Sequence, residues 1–358
     1  MRAFRTFVLC ATSLVLLPGA ARADDAVAVL MQQGRWKQVR AIAQARIKAG
    51  PDNPEANYLM GRVYMRWGEE NTAMPYAEKA VKLAPQNAEH HWLLAELVGQ
   101  QAQRANVFKQ IGLARRFRSE AETVLKLDPR HVEGHYGMMI YYLKAPGIVG
   151  GDKKKAHAEA DEIMKIDKAK GYLALIRLAQ EEQQPQKVEE LYLKAVEADP
   201  KCYDAHVGLV NVYANAQARN AAAAETHARQ AIAIEPKRVS GYSGLAWALV
   251  AQKRWSELEA TLAAAEKIIP DDLAPYFVAA QALLRDGQDF PRAEQYFRKY
   301  LSQEREAGAP THAVAHWRLG QLLEKAGRKP EAIAAMETAV RLDASLEPAR
   351  KDLKRLKG

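Results

Sequence analysis

A short proline-ended phrase recurs along this chain at a nearly fixed spacing. It closes Lys82-Leu83-Ala84-Pro85, Lys126-Leu127-Asp128-Pro129, Glu197-Ala198-Asp199-Pro200, Ile234-Glu235-Pro236 and Ile268-Ile269-Pro270. Pro51 and Pro85 are 34 residues apart, as are Pro236 and Pro270. Pro310 and Ala344, which takes the proline slot in Arg341-Leu342-Asp343-Ala344, are again 34 apart. A unit of that size cannot bury its apolar side alone, so neighbours must stack into one continuous core. The stretches between the prolines are rich in Ala, Leu, Glu, Lys, Arg and Gln, all good helix formers. No long run of Val, Ile and Thr alternates with period two, so no sheet is indicated. The unit is a helical one and the expected class is all-α.

Inside the period a second pattern is visible. Residues 54–87 carry Asn57, Met60-Gly61, Tyr64, Gly68, Ala73, Ala77, Ala80 and Pro85, and residues 313–346 carry His316, Leu319-Gly320, Leu323, Gly327, Ala332, Met336 and Ala339. Residues 239–272 give Tyr242, Leu245-Ala246, Leu249, Leu258, Leu262, Ala265 and Pro270; residues 169–202 give Tyr172, Leu175, Val188, Tyr192, Ala195 and Pro200. Small residues let helices approach, large ones fill the space opposite, and proline stops the second helix. This arrangement resembles the tetratricopeptide repeat family over nearly all of residues 24–346, and exported bacterial members of it without assigned activity. The resemblance implies a right-handed superhelical solenoid of about nine helix-turn-helix repeats that binds protein or peptide partners.

The expected repeats are 24–53, 54–87, 88–131, 132–168, 169–202, 203–238, 239–272, 273–312 and 313–346, with 347–358 as a charged capping helix. About ten extra residues lie between Val98 and Phe117, placing one insert at 99–113. Another, Ala145-Pro146-Gly147-Ile148-Val149-Gly150-Gly151, reads as a lengthened helix–helix turn. It has neither the spacing nor the Ser or Thr of a phosphate loop. Pro75 falls near the start of a second helix for which Asn71 is the expected N-cap.

Residues 1–23 read as a leader. A basic start, Met1-Arg2-Ala3-Phe4-Arg5, precedes an apolar stretch from Phe7 to Leu17 and a small-x-small site, Ala21-Arg22-Ala23. The expected location is therefore periplasmic. Losing Arg2, Arg5 and Arg22 would lower the formal charge from +9 to +6. Cys202 would then be the one cysteine left, so no internal disulfide is expected. No later apolar run is long enough to span a bilayer. Nucleic acid is not an expected partner, because export removes the chain from it.

Catalytic motifs are wanting. His91, His135, His206 and His316 take a slot that Tyr172, Tyr242 and Tyr276 fill in other repeats, which reads as packing. Metal ligation needs converging ligands, whereas neighbouring repeats hold these side chains roughly 10 Å apart. The i, i+4 pairs His131/His135 and His312/His316 enclose Val132-Glu133-Gly134 and Ala313-Val314-Ala315, so neither is a His-Glu-x-x-His motif. No Ser-His-Asp, Cys-His or paired-carboxylate setting is recognisable, and Cys202 sits in a turn. No enzyme activity, metal or cofactor is expected.

The resemblance implies that first helices line a concave face. By register that wall carries Tyr58, Arg62, Arg66, Trp92, Tyr136, Arg177, Asn211, Trp247, Phe277, Arg285 and Trp317. Aromatic and arginine side chains are the usual anchors of peptide and protein interfaces. A second candidate surface is basic: Arg104, Lys109, Arg115, Arg116 and Arg118 lie in a stretch without an acid between Glu96 and Glu120. Such a surface suits anionic lipid, polysaccharide or an acidic partner.

Overall fold

The computed structural model of the chain describes residues 18–215 and 220–358. The leader read in residues 1–23 lies outside the described residues up to residue 17, and residues 18–23 fall in the first helix. Among the described residues there are nineteen α-helices and no strands. They follow one another as α1 (Pro18–Gln32) and α2 (Trp36–Ala49), α3 (Pro54–Trp67) and α4 (Glu70–Leu83), α5 (Ala88–Arg104) and α6 (Val107–Leu127). Then come α7 (Val132–Lys144) and α8 (Lys153–Ile166), α9 (Lys168–Glu181) and α10 (Val188–Ala198), α11 (Tyr203–Ala214) and α12 (Ala221–Ile234). The last are α13 (Val239–Ala251) and α14 (Trp255–Ile268), α15 (Ala274–Asp286) and α16 (Phe290–Tyr300), α17 (His312–Lys325) and α18 (Lys329–Leu342), and finally α19 (Glu347–Lys357). Each helix packs on the next, which makes the chain a helical repeat solenoid.

Local sequence explains where the helices start and stop. The Asn53 side chain accepts the Ala56 N–H at 2.8 Å, Pro54 sits at the first position where its missing N–H costs nothing, and Gly68 ends α3 in the left-handed region at φ 80°. Asn87, Asn106, Asp152, Asp167, Asn220 and Thr311 cap later helices in the same way. Small residues are required inside as well. A methyl added to Gly61 would come within 2.8 Å of Leu93 Cδ2, and one on Gly320 within 2.6 Å of Met336 Cγ. Gly61 thus sets how closely α3 approaches the first helix of the next repeat, and Gly320 how closely α17 approaches α18.

The insert at 99–113 is not a loop: the extra length is taken up by α5, 17 residues long, and α6, 21 residues long. Gln, Ala, Lys and Arg dominate the stretch, and the Asn106 cap starts a new helix at once. Nor is Asn71 an N-cap. Helix α4 begins at Glu70, so Pro75 is an interior residue just past the first turn. The 145–151 segment is a fixed turn. The Tyr141 hydroxyl donates to the Val149 carbonyl, Gly150 takes φ 100°, and Asp152 caps α8, leaving Ile148 82% exposed.

The buried core is thick at both ends and thin between. One cluster runs from Val27 to Val98 and a larger one from Val210 to Leu356. The middle holds a small cluster of Met139, Ala156, Ala160, Ile163, Ala174 and Leu178, and α10 buries only Ala195. Helix α19 closes the far end by burying Ala349 and Leu356 under a charged outer face.

The array also curls far enough for its beginning to meet its last third. Arg40 makes a two-pronged pair with Glu304 at 2.9 and 2.8 Å, and Arg35 reaches Asp271 at 2.6 Å. Lys37 donates its backbone N–H to Glu306 Oε1 at 3.0 Å and its Nζ to the Glu304 carbonyl at 2.8 Å. Gln38 bonds Asp271, Gln32 bonds Glu235, and Ala307 packs onto the first core cluster. The α1–α2 turn and the start of α2 thus dock on the α14–α15 turn and on the segment after α16.

Candidate functional site

The concave wall does not present every residue that the register placed there. Tyr58, Trp92, Trp247 and Phe277 are 5%, 8%, 7% and 3% exposed. Tyr58 stacks on His90, Trp92 lies against Gly137 and His131, and Phe277 packs edge-on against Phe297 and beside Tyr300. A first helix is flanked by both neighbouring repeats, so a ring one position off the open stripe is drawn into the packing. Arg62 is half-buried and paired with Glu96 at 2.5 Å; Arg66 is exposed and stacks on Trp36. Arg177 pairs with Glu181, and Asn211 and Tyr136 are open. Trp317 donates its Nε1–H to Asp352 of α19 at 2.8 Å.

One part of the wall differs. Between α13, α15, α17 and α19 lies an open cavity of about 670 Å³ whose lining includes Trp247, Gln281, Arg285, Arg318, Gln321 and Lys325. Trp247 Nε1 and Arg318 Nε are buried and have no hydrogen-bond acceptor among the described residues. Arg318 stacks on Trp317 at 4.1 Å and gives one N–H to Gln321 at 2.9 Å, but no carboxylate pairs with it among the described residues. Burial holds its guanidinium below the ordinary arginine value, offset only in part by Asp352. Among the described residues Lys325 reaches only the Leu284 carbonyl, at 3.3 Å. Arg285 pairs with the adjacent Asp286, and Arg355 with Glu324. A buried indole donor without an acceptor, and a half-buried guanidinium that meets one amide oxygen but no carboxylate among the described residues, are the groups a carboxylate would satisfy.

Arg318 was missed by sequence reasoning although a signal exists. The same slot of other repeats holds Leu59, Leu93, Gly137, Ala174, Gly208, Gly244 and Val278. An arginine there is an anomaly of register.

The basic stretch on α6 is largely neutralised. Arg104 pairs with Glu70 at 2.6 Å, Arg116 with Glu78 at 2.7 Å, and Arg118 with Glu122 at 2.7 Å. Lys109 and Arg115 have no such pair among the described residues, and Phe108, next to Lys109, is 92% exposed. Two of the three acids come from α4, one repeat earlier, and a linear scan of 96–120 cannot see them.

The recurrent histidines fasten turns. His91 lies between Glu120 at 2.6 Å and the Pro85 carbonyl at 3.1 Å; His135 lies between Glu159 at 2.7 Å and the Pro129 carbonyl at 3.0 Å. The hydrogen bond to Glu159 raises the pKa of His135 despite burial. His206 instead meets His227 at 3.0 Å and the Pro200 carbonyl at 3.0 Å, and burial followed by His206 lowers the pKa of His227. Among the described residues no group of three or more His, Cys, Asp or Glu could hold a metal ion. Cys202 is half-buried, and burial pushes its thiol up, away from the reactive thiolate. No described helix is long and apolar enough to cross a membrane.

With this geometry established, comparison with known proteins names the class. Residues 54–87 and 277–347 each match a tetratricopeptide repeat model. These two stretches are tetratricopeptide repeats. No curated protein matches the chain. Similar solved structures include a thermophilic TPR protein in Thermus thermophilus, at 21% identity over 51% of this chain and 93% of that one, TM-score 0.45. Yeast Tom70 is 13% identical over 95% of this chain and 88% of its own, TM-score 0.48. A tetratricopeptide repeat protein from Parabacteroides merdae is 15% identical over 85% and 99%, TM-score 0.41.

Proposed function

We propose that the protein is a non-enzymatic scaffold of the bacterial envelope that holds an acidic segment of a partner protein against the concave face of α13, α15 and α17. The observation that carries this reading is the cavity lined by Trp247 and Arg318, whose buried Nε1 and Nε lack acceptors among the described residues. A carboxylate there would receive charge-assisted hydrogen bonds while the apolar rim buries its stem. Envelope location rests on the leader read in residues 1–23, and its test is the N-terminal residue of the protein recovered from cells: Asp24 supports export, Met1 contradicts it.

The binding claim is tested with matched peptides, one rich in Glu and Asp and one with Gln and Asn in their place. The acidic peptide should bind in fluorescence polarisation, weaken with salt, and weaken at least tenfold in Arg318→Glu/Lys325→Glu. Equal binding of both peptides, or no effect of the charge reversal, contradicts it. Contact of anionic lipid or polysaccharide with α6 is the lesser reading, because three of the five basic side chains there are paired; salt-sensitive binding to anionic liposomes, lost in Lys109→Glu/Arg115→Glu, is what it requires.

A further inference from the structure

The meeting of the two ends has a geometry beyond packing. Gln32 at the end of α1, with Gln33 and Gly34 of the α1–α2 turn, forms one wall of a second cavity of about 510 Å³. Its other walls are the concave side of α11, α13 and α15 and the segment Ala307–Pro310. Trp247 lines both cavities, so the turn stands across one approach to the groove. The contacts that hold it are mostly polar. Arg40–Glu304 is 30% and 53% exposed, and Gln38–Asp271 and Gln32–Glu235 are exposed hydrogen bonds, each of which contributes little. Arg35–Asp271, at 8% and 22% exposed, is the buried ion pair that opening must rehydrate, and Ala307 is the one residue of the 301–310 segment that joins the core of the first repeats. The thin middle of the array, where α10 buries only Ala195, supplies a place for the two ends to move apart.

We propose that the α1–α2 turn is a displaceable gate, closed across the groove in this structure and open when an extended partner segment enters. It builds on the groove reading for what the gate admits, whereas opening itself is independent of any partner.

A buried carboxylate at the centre of the contact gives the gate a pH response. Glu306 is 1% exposed; its Oε1 accepts from the Lys37 and Ala307 N–H groups, and its Oε2 has no partner among the described residues. Facing it or one another are Lys37, Arg35 and Arg40 from the first pair, Asp271 and Asp272 from the α14–α15 turn, and Glu304 and Arg305 beside it. Burial first, with Asp272 adding to it, raises Glu306 to about 7, and burial raises Asp272 as well. Opening returns Glu306 to the ordinary carboxylate range. Closure therefore takes up a proton: it is favoured below that range's upper edge and weakens as pH rises through about 7. Glu304 is held low by Arg40, so stronger acid removes that pair and loosens the gate again. Each unit of difference is a tenfold change in the closing equilibrium, on the order of a hundredfold across the window.

Spin labels at Gln44→Cys and Ser302→Cys, in a background with both native cysteines changed to serine, report the gap in the full chain without a partner. At pH 5.5 a single short distance is expected. At pH 8.5 a longer population should appear. Arg40→Glu should show it at both pH values, Arg40→Glu/Glu304→Arg should restore the short distance, and Glu306→Gln should lose the pH response. Circular dichroism confirms that each variant stays helical. One unchanged short distance in Arg40→Glu and at pH 8.5 would overturn the gate and leave a fixed joint. Peptide binding is not read in this experiment, so its failure does not touch the groove assignment.

Discussion

Adjacent helix pairs and the meeting of the two ends are held by different kinds of contact. Between neighbours, apolar packing is supplemented by ion pairs at about one repeat: Arg62–Glu96, Arg104–Glu70, Arg238–Asp204 and Arg328–Glu294 are each 34 residues apart. Across the seam, partners such as Gln38–Asp271 and Lys37–Glu306 are 233 and 269 residues apart, and most are polar. The stack is a property of each repeat. The seam is a property of the accumulated curl, and any bend along the way changes it. An array with only nearest-neighbour contacts couples its ends only through every repeat between them; this one adds a direct link.

Four experiments break or sharpen that comparison. The largest effect belongs to the stack. Leu249 is fully buried in the larger core, and Leu249→Ala should cost about 2–5 kcal/mol in urea unfolding. Next comes Gly61→Ala, whose methyl must displace Leu93; a cost of about 1–3 kcal/mol is expected by the same measurement. At the seam, Arg40→Ala should cost below about 1 kcal/mol, and its difference from wild type should shrink in high salt. If Arg40→Ala costs as much as Leu249→Ala, the seam is part of the cooperative core.

The smallest effect is the histidine fastening of the fourth repeat. Because the folded-state pKa of His135 is raised, its contribution is fully present below the ordinary histidine value and is lost as pH rises through the raised one. The wild-type urea midpoint should therefore fall slightly more between pH 6 and pH 9 than that of His135→Asn. Parallel pH profiles would remove His135 from the account.

The same contrast explains what the sequence could reveal. Pro85, Ala73 and Ala77 act within one repeat, so their spacing alone foretells a helix pair. The side-chain direction of Trp92 or Phe277 depends on how two neighbours wedge a first helix, and register alone placed both on the open wall, whereas they are buried. Neutralisation of Arg104 by Glu70 needs the neighbouring repeat laid alongside. Arg318 was visible in principle as the charged residue in an otherwise small or apolar slot. Nothing local links Arg40 to Glu304, since their meeting requires the curvature of every repeat between them.

The groove assignment is tested most directly by indole N–H resonances. The chain has six tryptophans, and Trp247 alone joins a buried, acceptor-free Nε1–H to both cavities. In ¹⁵N-labelled protein titrated with the acidic peptide, the Trp247 indole signal should move downfield and exchange more slowly with solvent, while that of Trp317, already bonded to Asp352, shifts less. A bound peptide that leaves the Trp247 signal unmoved would place the partner elsewhere and contradict the assignment.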